Sequence, residues 1–162
     1  MCQPLMAEGE FALVKQHLEP ELGKTSIWPG DHDLYAMLAD AAVLQRDEAA
    51  LRQYTPLADE SARQCDHKLY QAIAHRAWGV AHRLAGEYAE AEARLNQALD
   101  VFSSLTTRWQ IGRTLMELGE LASPQRNIAQ ARDYFTRALR EFEEMRAAPD
   151  AARTRASQEA LG

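Results

Sequence analysis

The sequence predicts an all-α protein, a stack of antiparallel helix pairs. Three observations lead there: apolar residues recur at spacings of three and four, two stretches match in frame 40 residues apart, and the same step finds a third copy. "GEYAEAEARLNQALDVF" (86–102) and "RNIAQARDYFTRALREF" (126–142) align Ala91 with Ala131, Leu95 with Phe135, Ala98 with Ala138, and Phe102 with Phe142. One step upstream, Ala58 and Ala62 fall in the frames of Ala98 and Phe102. The helices before these follow the same step: Tyr35, His75 and Leu115; Leu38, Trp78 and Leu118; Ala39, Gly79 and Gly119. Each unit is therefore two helices, and three units fit without a gap.

The elements run in order. Residues 1–19, around "AEGEFALVKQHLE", read as a partial N-terminal repeat, with Gly9-Glu10-Phe11 echoing Gly86-Glu87-Tyr88. "PELGKTSIWPGD" (20–31) is the longest break, and Asp31 is placed to cap the next helix. Units follow at 31–65, 67–105 and 107–146, with Asp66, Thr106 and Asn127 as expected caps. Pro149 suits a first helical turn, so 149–162 reads as a C-terminal capping helix within a single 1–162 domain.

Within a unit, His75, Trp78, Gly79 and His82 share one stripe, and Ala91, Leu95, Ala98 and Phe102 share another. Small residues fall where the helices cross, and large ones fill the space around them. This arrangement resembles the tetratricopeptide repeat: "LMELGELA" (115–122) followed by "AQARDYFTRAL" (129–139), and "AWGVAHRLAGEYAEAEARLNQAL" (77–99). The resemblance implies a right-handed superhelical α-solenoid. The 31–65 unit departs from it, with Leu51 and Thr55 where Ala and a bulky apolar residue are usual. The family's usual period is about 34 residues; the longer step here is similar to repeats in large bacterial signalling proteins and fits longer helices. HEAT-type repeats share a period near this one but carry a Pro and Asp/Arg pattern not seen here.

Bulk composition narrows the function. The 162 residues are 46% hydrophobic and 26% charged, enough for one domain with a substantial core. The net charge is −6, and the Arg of the second half interleave with Glu at helical spacing, as in "ALREFEEMR". A phosphate-binding patch needs positive potential, so nucleic acid is not expected. No apolar run is long enough to span a membrane. Residues 1–17 lack a basic start followed by an apolar stretch, and Cys2 and Cys65 make no disulfide framework. These features predict a cytoplasmic, reduced protein.

Chemistry-bearing motifs are weak. "LGKTS" (22–26) lacks the first Gly and the preceding strand of a phosphate loop. His75 and His82 lack metal-ligand spacing, as do Cys65 and His67, so the two helical histidines read as half-buried packing residues and Cys65 as an inert, partly buried one. Glu141, Glu143 and Glu144 read as a solvated charge run. No catalytic residue, metal or cofactor is expected, and the chain reads as a non-enzyme.

By position, the resemblance places Asp33, Met37, Asp40, Ile73, Arg76, Val80, Arg83, Arg113, Met116, Glu117 and Glu120 on the concave face. The Lys and Asn with which some modules of this family hold a C-terminal carboxylate are not among them. Arg76, Arg83 and Arg113 beside a small apolar floor suit a protein or peptide segment with acidic residues. The expected function is that of a regulatory protein-interaction adaptor. The alternative is a sensor segment of a larger signalling NTPase or cyclase protein. Incomplete end units also allow a homodimer through a terminal face.

Overall fold

The computed structural model describes residues 31–162 and, upstream, Leu13, Gln16, His17 and Pro20. The partial repeat expected at 1–19 and the "LGKTS" stretch lie outside the described residues apart from those positions. So do the side chains of Asp31 and Asp33, expected as a cap and a partner contact.

Seven helices follow one another among the described residues: α1 (Asp31–Gln45), α2 (Glu48–Gln64), α3 (Lys68–Leu84), α4 (Tyr88–Ser104), α5 (Arg108–Ala122), α6 (Ile128–Glu144) and α7 (Ala148–Glu159). Each packs on its predecessor, and α1 also packs on α3, α3 on α5 and α5 on α7. No two even-numbered helices pack comparably. The odd helices therefore form the inner side of a curved stack and the even ones its outer side. The fold is the all-α solenoid expected from the periodicity.

Pairing depends on small residues at the crossings. A Cβ on Gly79 would lie 2.6 Å from Leu95 Cγ, and one on Gly119 would lie 2.5 Å from a Phe135 ring carbon. The first unit has Ala39 and Thr55 in this register, so a methyl on one helix accompanies a smaller side chain on the other. The degenerate look of that unit is thus a different division of the same volume. α2 also contains Pro56, whose exposed position avoids a clash with the core but forfeits one helical hydrogen bond.

The links repeat every 20 residues, half the repeat. Arg46, Asp66, Gly86, Thr106, Arg126 and Arg146 all have positive φ. At each, the residue that follows donates its N–H back to the carbonyl five positions before it, as Asp47 does to Ala42 at 3.1 Å and Ala147 to Phe142 at 2.8 Å. This left-handed closure satisfies the last carbonyls of one helix while setting the start of the next. Asp66 and Thr106 are therefore closing residues rather than caps; His67 and Thr107 occupy the cap positions. Asn127 does cap α6, accepting from the Gln130 N–H at 3.4 Å. Cys65 ends α2 and is exposed rather than partly buried.

α7 ends the described stack with a changed face. Where α5 offers Leu115, Leu118 and Gly119 to α6, the corresponding positions of α7 are Arg155, Gln158 and Glu159. Arg155 instead donates to Glu143 at 2.5 Å, and Gln158 to Thr136 at 3.0 Å.

Gly79→Ala is expected to destabilise the fold by roughly 1–3 kcal/mol through overpacking against Leu95. Combined with Leu95→Val, it should cost less than the sum of the two single changes. Urea unfolding of the four proteins in this cycle measures both effects, and strict additivity would contradict the crossing described.

Candidate interaction surface on the inner face

The inner side is polar where a repeat core would be apolar. Asp40 of α1 sits 5% exposed between two guanidiniums from the next two units. Arg76 of α3 donates through Nη2 to Asp40 Oδ1 at 2.7 Å, and Arg113 of α5 through Nη1 to Asp40 Oδ2 at 2.6 Å. Arg76 has no exposed surface, and its cation lies over the Phe102 ring at 5.1 Å from the centroid. Arg113 lies over Trp109 at 4.7 Å.

A second group closes the end of the inner face. Arg46, in the link after α1, donates to Glu117 at 2.7 Å and to Glu120 at 2.7 Å. Arg83 of α3 meets the same carboxylates at 3.2 and 3.0 Å. Both groups join α1 directly to α5, two units away. Only curvature toward the odd helices brings such positions within side-chain reach.

The electrostatics follow from burial against pairing. Burial alone would raise the Asp40 pKa, but Arg113 and Arg76 outweigh it and hold the carboxyl below its ordinary 3.8. Burial lowers Arg76 to about 10, with the neighbouring Arg113 charge adding to the effect. Glu117 is likewise held below 4.5, because Arg46 and Arg83 overcome its burial. Glu120 moves the other way: burial first, then the Glu117 charge, raise it against the pull of Arg46 and Arg83.

The expected partner contacts therefore fall into separate sets. Asp40, Arg76 and Arg113 are buried and bonded to one another, and the buried Glu117 is bonded to Arg46 and Arg83. Val80 is core between α1, α2 and α3, and Ile73 packs near Phe102. Met37 and Met116 are half-buried. Arg83 and Glu120 belong to the closing group. The three arginines expected to await an acidic partner are thus already engaged by carboxylates of the chain.

What stays open is a cleft of about 260 Å³ between the end of α1, α5 and α7. Leu44, Met116 and Ala156 give it apolar walls, and Arg46, Arg113, Arg153, Glu117, Glu120 and Asp150 give it charge. Asp150 accepts from Trp109 Nε1 at 3.0 Å and is also bound by Arg153. The α7 side of this cleft is not marked by the periodicity, because only the folded stack brings that helix to the same cleft as the end of α1.

Elsewhere, His75 is half-buried beside Arg94 at 3.0 Å, and His82 pairs with Glu87 at 2.5 Å while stacking on Trp78. Glu141 and Glu144 contact Arg108 across to α5 at 3.3 and 2.5 Å, and Arg140 adds an i,i+4 pair to Glu144. Among the described residues, no group of three or more His, Cys, Asp and Glu could hold a metal ion. Among them too, no helix is long and apolar enough to cross a membrane.

A tetratricopeptide-repeat family model matches residues 70–144, which span α4, α5, α6 and all but the first two residues of α3. No curated protein gives a match.

The raised and lowered carboxyls predict opposite pH effects. Asp40 and Glu117, held low when folded, stabilise the protein above their unfolded pKa, and this is lost as pH falls through the folded values. Glu120, held high, makes stability fall as pH rises from 4.5 through its folded pKa. In urea unfolding followed against pH, Glu120→Gln should remove that decline toward neutral pH. Asp40→Asn should flatten the acid limb and cost about 3–5 kcal/mol at neutral pH, since it leaves two buried cations without their counter-charge. A decline that persists unchanged in Glu120→Gln would contradict the assignment.

Proposed function

We propose that this chain, which belongs to the tetratricopeptide-repeat family, is a non-catalytic regulatory adaptor that docks a partner protein segment on its inner face. Repeats of this family generally mediate protein–protein interaction, and the family is typically non-catalytic. Stacked helix pairs present extended concave surfaces for that purpose. The observation that carries the reading is the cleft between α1, α5 and α7: apolar side chains stand beside fixed charges, on helices that the buried ion pairs hold in place.

Such a floor suits binding because little reorganisation accompanies docking. Side chains already ordered by their neighbours lose little further freedom when a segment arrives. Leu44, Met116 and Ala156 supply the apolar contact, and the adaptable thioether of Met116 tolerates varied side chains.

The test fills the cleft without touching the ion pairs. Ala156 lines the cleft and is exposed, whereas Ala152 is exposed on the same helix outside it. Ala156→Trp should abolish retention of a protein that the parent chain captures from native lysate, and Ala152→Trp should leave it unchanged. Equal retention by both variants, with equal helicity, would place binding elsewhere on the surface.

A further inference from the structure

The charges of the inner face do not balance evenly along it. Near the C-terminal ends of α1, α3 and α5, Arg46 and Arg83 face Glu117 and Glu120, two cations against two anions. Farther from those ends, on α1, α3, α5 and α7, Arg76, Arg113 and Arg153 face Asp40 and Asp150, three cations against two anions. The surplus cation is therefore in the latter group.

The hydrogen bonds locate it on one side chain. Arg76 is enclosed, and its Nη1 makes long contacts of 3.4 Å to the Gln110 carbonyl and the Thr114 hydroxyl. Arg153 is engaged by Asp150. Arg113 spends Nη1 on Asp40, while its Nη2 is buried and has no hydrogen-bond partner. Arg113 is 4% exposed, yet it lines the cleft. A buried donor left unsatisfied is costly, and more so when it belongs to a cation. An incoming acceptor gains what that group lacks.

We infer that the cleft contains an anion subsite at Arg113 Nη2, with Arg153 at its rim, which receives one acidic side chain of the docked protein segment. The inference rests on the docking proposed above and gives it a chemistry and a direction. An Asp or Glu lies toward α7, with apolar neighbours against Leu44, Met116 and Ala156. Near the C-terminal ends of α1, α3 and α5, Glu117 and Glu120 already engage Arg46 and Arg83, which leaves no surplus cation there for a second acid. Of the three inner arginines, only Arg113 both lines the cleft and has an unpaired N–H. A planar guanidinium fixed by Asp40 and by the Trp109 ring is preorganised for one further charge-assisted bond.

The probes are the blocked peptides Ac-Leu-Glu-Leu-NH2 and Ac-Leu-Gln-Leu-NH2, titrated into the full chain. The readouts are the arginine side-chain N–H signals and the methionine methyl signals. The expected result is saturable shifts at Arg113 and Met116 with the glutamate peptide, and binding weaker by about tenfold or more with the glutamine peptide. Arg113→Lys, which keeps the charge beside Asp40 but loses the second Nη, should bring the two peptides to equal affinity. Equal affinities in the parent chain, with shifts still at Met116, would overturn the subsite and leave cleft docking standing. Shifts confined to residues outside the cleft would overturn both. No saturable shift at Arg113 with the glutamate peptide would also overturn the subsite.

Discussion

Asp40 is one carboxylate held by guanidiniums from two other units, and the inner face is arranged around it. In a repeat stack, stability and shape ordinarily arise from contacts between neighbouring units. Here Asp40–Arg113, with Arg46–Glu117 and Arg46–Glu120, joins the first unit to the third directly. Burial of such a group does not by itself favour folding, because desolvation offsets much of the attraction. Its effect is geometric. The partners meet only at one curvature, so any flattening of the stack separates buried opposite charges. The cleft and its fixed polar groups follow from that curvature.

Around this brace, the pairing of helices is a matter of volume. Gly79 admits Leu95 and Gly119 admits Phe135, while the first unit divides the same space between Ala39 and Thr55. The left-handed links close α1 to α6 in the same way, so successive helices leave their neighbours at a repeated angle. A constant link and a constant crossing produce a regular superhelix, and the regularity aligns Asp40, Arg76 and Arg113 along its inner side. α7 then lies beside α5 as the fourth odd helix and supplies the far wall of the cleft.

Much of this was legible in the sequence, for physical reasons that also mark the limit. The unit, its two helices and the inner positions follow from side-chain size at fixed spacing, and those are local properties. Arg76 and Arg83 lie on α3 and Arg113 on α5. Their engagement by Asp40, Glu117 and Glu120 depends on contacts across the curve, which local periodicity does not encode. The same holds for Asp150 and Arg153, which belong to the cleft because α7 packs on α5 and α6 and forms one wall of it. Asp66 and Thr106 close helices although their residue types also serve as helix caps, and only the backbone angle separates the two roles. Thr55 departs from the repeat pattern in sequence, but beside Ala39 it takes the place that Leu95 has beside Gly79 and Phe135 beside Gly119.

The most direct test of the brace is native-state hydrogen exchange on the parent chain, residue by residue. If the first and third units are tied through Asp40 and Arg46, protected amides in α1 and α5 should open with the same free energy, as one cooperative unit. Independent opening of α1 and α2, at a free energy well below that of α5, would show that the units are coupled only to their neighbours and would contradict the account.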